Sequence, residues 1–208
     1  MTDIGRRGIL KMLGTVPVAG LAVSPPEALH AYEQAKKSAS AAGKKGAAFT
    51  PKFFSAHEWA TVRLLADLVI PRDERSGSAT DALVPEFMDF TMTDPLIAER
   101  DREQRQTAMR GGLAWLDLEC QDRFGKTFLA AADGERTQVL DDIAFPDKAK
   151  GKPELQPGIR FFSSFRDLTA TGFWSSKIGV QDLQYIGNTF VAEWKGPPAE
   201  VLTKLGLS

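Results

Sequence analysis

Apolar residues recur along this chain at steps of three and four, the spacing of a helix face, and hardly anywhere at steps of two. Trp59, Val62, Leu65/Ala66 and Val69 mark one such face. Ser55 and Glu58, three apart just before that run, predict a capping box, in which the Ser oxygen takes one free N–H of the first turn and the Glu carboxylate takes another. Pro71 disfavours the helical region at the residue before it, so this helix is expected to stop at Ile70. His57 falls in its first turn, a position that reads as an exposed helix start with no partner nearby in sequence. Pro85 suits the first turn of a short helix carrying Phe87, Met88 and Phe90. The longest predicted helix runs over 96–124, with a charged first half of alternating sign and an apolar stripe at Met109, Leu113, Leu116, Cys120 and Phe124. Gly111-Gly112 weakens its middle and allows a bend or a close helix contact, and Gly125 is placed to end it.

Between these helices, 72–82 reads as a polar, solvated loop. Its Asp73, Glu74 and Asp81 do not have the spacing of a calcium loop. After a brief continuation over 127–132, Asp133 opens a helix presenting Val139, Leu140 and Ile143 that ends before Pro146. Residues 147–158 carry no periodicity. Residues 159–174 crowd Phe161, Phe162, Phe165, Leu168 and Phe173 onto one helix, with Gly172 expected to break it. Such a stripe is normally core. The aromatic residues Phe161, Phe162, Phe173 and Trp174 also stand as candidates for contact with a partner. A helix over 181–194 follows, with Leu183, Ile186, Phe190 and Trp194, stopped by Gly196-Pro197-Pro198, and 199–207 is short and amphipathic. The expectation is an all-α, irregular multi-helix single domain over residues 53–208, with five to seven helices and long loops.

The first 52 residues are of another kind. Residues 25–52 hold Pro25-Pro26 and an Ala/Ser/Lys/Gly tract, which predicts a flexible linker, with 29–42 a helical alternative through its alanines. Residues 1–24 place Arg6-Arg7 and Lys11 before an apolar run from Met12 to Val23 broken by Gly14, Pro17 and Gly20. This order resembles a twin-arginine export signal, an address read by a receptor. Twelve residues cover about 18 Å as a helix; a bilayer core needs about 20 apolar residues. Small residues at Gly20-Leu21-Ala22, and again near Ala31, offer places for cleavage, and an uncleaved signal is the third alternative. The twin-arginine route carries proteins already folded, commonly with a cofactor or bound to a partner that holds one.

Composition narrows the chemistry. The chain has 208 residues, 43% hydrophobic and 25% charged, with a formal net charge of −1. Without residues 1–24, which hold Arg6, Arg7 and Lys11 against Asp3, 184 residues with a net charge of −3 remain, giving no general attraction to nucleic acid or to an anionic membrane. The single cysteine, Cys120, allows no internal disulfide. It is either a buried apolar residue on its helix stripe or half of an inter-subunit disulfide. Two histidines, His30 and His57, give no zinc or haem-attachment spacing. No nucleotide-binding glycine motif, phosphate loop or Gly-x-Ser-x-Gly elbow occurs, so no catalytic, cofactor-binding or metal residue is assigned.

The run from Phe54 to Asp73, with its Leu65-Ala66-Asp67-Leu68-Val69-Ile70-Pro71 ending, the 87–90 helix, and the block Phe161-Phe162…Leu168-Thr169…Gly172-Phe173 resemble the gluconate 2-dehydrogenase subunit 3 family over about residues 53–207. The resemblance implies a non-catalytic small subunit of a flavin-dependent sugar or sugar-acid dehydrogenase complex. It implies a flavoprotein catalytic subunit carrying FAD, with an iron–sulfur cluster as a further group there, and a multihaem cytochrome c subunit carrying haem c. It also implies a periplasmic complex, membrane-associated through the cytochrome. Since the flavoprotein of such complexes usually lacks a signal, the small subunit would support its folding, assembly and export. The alternative is an independent periplasmic enzyme or ligand-binding helical protein. Which sugar is oxidised is not written in this chain.

Overall fold

The computed structural model describes residues 21–44, 48–145, 151–184, 193 and 196–207. Among them are eight α-helices and no strand: α1 (Pro25–Lys44), α2 (Ala56–Val69), α3 (Val84–Thr93), α4 (Glu99–Phe124), α5 (Asp133–Ala144), α6 (Gln156–Trp174), α7 (Lys177–Asp182) and α8 (Ala199–Lys204). The fold is all-α, as the periodicity predicts. The capping box of α2 is present: Ser55 Oγ accepts from the Glu58 N–H at 3.3 Å, and Glu58 accepts from the Ser55 N–H at 2.8 Å. Most of the predicted 181–194 helix lies outside the described residues.

Helix α6 is the centre of the molecule. It packs against each of α1 to α5 and against α7. Ile159, Phe161, Phe162, Phe165, Leu168 and Phe173 are all buried along it. Two close approaches fix its position. A Cβ on Gly112 would stand 1.8 Å from Phe161 Cδ2, so the Phe161 ring lies directly on the α4 backbone. A Cβ on Gly172 would stand 2.7 Å from Phe87 Cδ1 of α3. The helix therefore does not break at Gly172 but runs through it to Trp174. Glycine costs a helix about 1 kcal/mol relative to alanine, and here packing against α3 outweighs that preference.

The expected linker is largely a docked helix. In α1, Ala28, Ala31, Tyr32 and Ala35 are buried, a three-and-four stripe of mostly small residues facing α3. Alanine both favours helix and lets two backbones approach closely, so a tract that looks like low complexity in composition serves as a packing face. The stretch after it is also held. Asp89 of α3, itself buried, accepts N–H bonds from Lys52, Phe53 and Phe54 at 2.9, 2.8 and 3.4 Å. The Arg110 guanidinium lies over the Phe53 ring and donates to the Phe53 carbonyl.

The 72–82 loop is not solvated throughout. Ser78, Ala79 and Ala82 are buried. Asp67, inside the Leu-Ala-Asp-Leu-Val-Ile-Pro ending of α2, accepts both the N–H and the hydroxyl of Thr80, at 2.8 and 2.7 Å. Across the molecule, Arg123 joins Glu119 of its own helix α4 to Asp142 of α5. No described helix is long and apolar enough to cross a membrane.

Candidate functional site

Three constellations carry chemical or binding potential. The first is the pair of buried carboxylates on α3. Asp89 is satisfied by the three N–H groups named above. Glu86 is 5% exposed; its Oε2 makes no hydrogen bond, and Arg63 stands 3.8 Å from Oε1. Burial raises the Glu86 carboxyl above the ordinary carboxylate value, and the Asp89 charge adds to this. Neither residue was singled out in the sequence. The signal was available: two acids inside the apolar run Val84 to Phe90 are either exposed on one face or buried for a purpose.

The second lies between α2 and α4. His57 Nε2 is 2.6 Å from Asp117 Oδ2, and Asp117 Oδ1 accepts the Phe128 N–H at 2.9 Å. His57 is the exposed first-turn residue that the sequence predicts, but it has a partner. The fold brings it an acid sixty positions away. Asp117 holds together α2, α4 and the turn at 128. Three positions along α4, Cys120 is fully buried and free. Burial, then the Asp117 charge, pushes its thiol up to about 11. Its position in the core is the buried-residue alternative that the apolar stripe of α4 offers. Among the described residues no group of three or more His, Cys, Asp or Glu side chains converges as a metal ion would require.

The third is a surface cleft between the start of α1 and the far half of α6. Its wider part, about 450 Å³, is lined by Val23, Ala28 and Leu29 on one side and by Ala170, Thr171 and Trp174 on the other. A second part of about 270 Å³ shares Val23 and Thr171 and extends to Ser164, Asp167 and Leu168. Leu29 and Trp174 are exposed large apolar residues at this cleft. The Trp174 ring stands edge-on to Phe173, 6.0 Å between centroids, which anchors it on the core. Of the four aromatic residues considered for partner contact, Phe161, Phe162 and Phe173 are buried and belong to the core; Trp174 alone reaches the surface. Aromatic density in the sequence marks where α6 crosses the middle of the fold. Arg6, Arg7 and Lys11 lie outside the described residues.

No curated protein sequence and no solved structure gives a significant match to this chain. The family model of gluconate 2-dehydrogenase subunit 3 matches residues 56–193, from the first turn of α2 to beyond α7. The match takes in both sequence blocks that the structure shows to be architectural, the α2 ending with Asp67 and the aromatic face of α6. On that match the chain belongs to the gluconate 2-dehydrogenase subunit 3 family.

Proposed function

We propose that this chain is the non-catalytic small subunit of a flavin-dependent sugar or sugar-acid dehydrogenase complex, and that it supports folding, assembly and twin-arginine export of the flavoprotein catalytic subunit. The observation that carries this reading is the family match over residues 56–193 of 208. The order of Arg6-Arg7, Lys11 and a short apolar run supports the export role. The commitments of the reactive side chains support the non-catalytic one: His57 and Asp117 join helices, Cys120 is sealed in the core, and Asp89 pins backbone. In this reading FAD, and an iron–sulfur cluster where present, belong to the flavoprotein, and haem c belongs to a multihaem cytochrome subunit. The complex resides in the periplasm and meets the membrane through that cytochrome. Trp174 and Leu29 are the apolar side chains this chain offers the flavoprotein, since an anchored aromatic at a cleft is the kind of group on which interface energy concentrates.

Co-purification tests the reading. The tagged chain is expected to carry a flavin-containing dehydrogenase subunit through purification, and Trp174→Glu is expected to reduce the recovered flavoprotein at least ~10-fold with the variant still folded. Sugar oxidation by the purified chain alone, with a dye acceptor, would contradict it.

A further inference from the structure

A leader peptidase acting on an exported chain has two sequence candidates here, Gly20-Leu21-Ala22 and the neighbourhood of Ala31. They differ in what they would do to the fold. We infer that Ser24 is the boundary of processing: maturation, if it occurs, removes residues before Ser24 only, and α1 stays on the mature subunit. This rests on the export reading for there to be a maturation at all.

Leu21 is already buried beside α6, Ala22 is exposed and outside any helix, and Ser24 opens the first helix. Its N–H and its hydroxyl both donate to Glu27 Oε2 at 2.8 Å, and its carbonyl accepts the Ala28 N–H at 2.9 Å, the first turn of α1. The Ser24 N–H holds the Glu27 carboxyl below its ordinary value, and Arg105 of α4 stands 3.5 Å from Glu27 Oε1. Beyond this cap, Ala28 and Ala31 are 2% and 1% exposed. Cleavage near Ala31 would therefore remove the cap, the Glu27–Arg105 pair and two of the four buried contacts of α1.

Order of events makes the difference count. A twin-arginine passenger folds before it crosses, so a peptidase on the far side meets a finished fold. Proteases cut extended, accessible chain, and cleavage inside a docked helix waits on its opening. The bond after Ala22 follows an exposed residue outside any helix, although Leu21 before it is buried; the bonds around Ala31 lie inside the packed helix. Retention of α1 also keeps Leu29 at the cleft beside Trp174 in the subunit that a partner meets.

Two measurements test this. The first is the intact mass of the small subunit from the periplasm. An N-terminus at or before Ser24 is expected, and a start within residues 25–44 overturns the inference. The second needs no export: limited proteolysis of the purified full chain, with fragments assigned by mass. Bonds within 25–44 are expected to survive as long as those within 56–69. Ala31→Glu, which forces a charge into the α1 face, is expected to speed cleavage within 25–44 at least ~10-fold. Leu29→Glu, on the exposed side of the same helix, is expected to leave it unchanged. Cleavage of the unaltered chain inside 25–44 while 56–69 stays whole overturns the inference even if the first measurement finds no periplasmic protein, an outcome that refutes the export reading instead.

Discussion

Glu86 sits in the interior of α3 with one carboxylate oxygen unbonded and with the negative charge of Asp89 one turn away. Burial raises its carboxyl above the ordinary value. A group raised on folding contributes its stability below its unfolded value and loses it as pH rises through its folded value, so the stability Glu86 contributes at acid pH is lost as pH rises. Glu86→Gln is expected to stabilise the protein by about 1 kcal/mol at pH 7, the scale of one unmade buried bond, and by little near pH 4. The Arg63 pair lost with it is partly exposed and weak. Denaturant titrations at the two pH values check this. Cys120 gives a second window at the other end of the scale. With its thiol pushed up to about 11, the stability it contributes is complete below its ordinary value near 9 and falls as pH rises from there. The loss is expected to be on the order of 2 kcal/mol by pH 11, read as the difference between the unaltered chain and Cys120→Ala. The same burial makes the native thiol unreactive to an aqueous disulfide reagent at pH 8 until the chain unfolds. The capping residues Ser55 and Glu58 were legible from spacing alone, because a cap is a local device. Asp67, Asp89 and Asp117 were not: each bonds backbone or side chain 11 to 60 positions away, which only the fold reveals.

Between α4 and α6 the contact depends on an absence. Gly112 leaves room for the Phe161 ring where a Cβ would stand 1.8 Å from it. Gly112→Ala gains about 1 kcal/mol of helix propensity. It must also displace a buried aromatic ring, and overpacking of this kind costs about 1–3 kcal/mol. Net destabilisation is expected, with a lower Tm, whereas Gly134→Ala, where a Cβ meets nothing within 4 Å, lacks the packing penalty. A pair of thermal melts decides it. Apolar spacing together with Pro and Gly punctuation located α2 and α4 to α6, and Pro85 located α3, which is buried nearly all round. Over α1 the sequence left a tether and a helix over 29–42 open, and the helix is present, because alanine, the residue that packs α1 on α3, is also the residue of low-complexity tracts. It misread Gly172 as a stop because the need for close approach by Phe87 lies on another helix.

Across the whole molecule, the aromatic residues that make the chain recognisable are spent on α6, the helix that every larger element touches. Family membership is therefore written in the scaffold, while Leu29 and Trp174 are among the large apolar residues left exposed. Among the described residues the chain is already docked at Leu21, ahead of the Ser24 cap of α1. In the proposed reading, a small subunit that folds around its own core and carries an address its partner lacks conveys a flavoprotein across the membrane by binding it first. The measurement that tests this most directly is the distribution of flavoprotein activity in cells co-expressing this chain with its dehydrogenase partner, with Arg6 and Arg7 both intact or both changed to Lys. The account predicts that the double change moves dehydrogenase activity from the periplasm to the cytoplasm while the two subunits still co-purify. Undiminished periplasmic activity with Arg6→Lys and Arg7→Lys would contradict it.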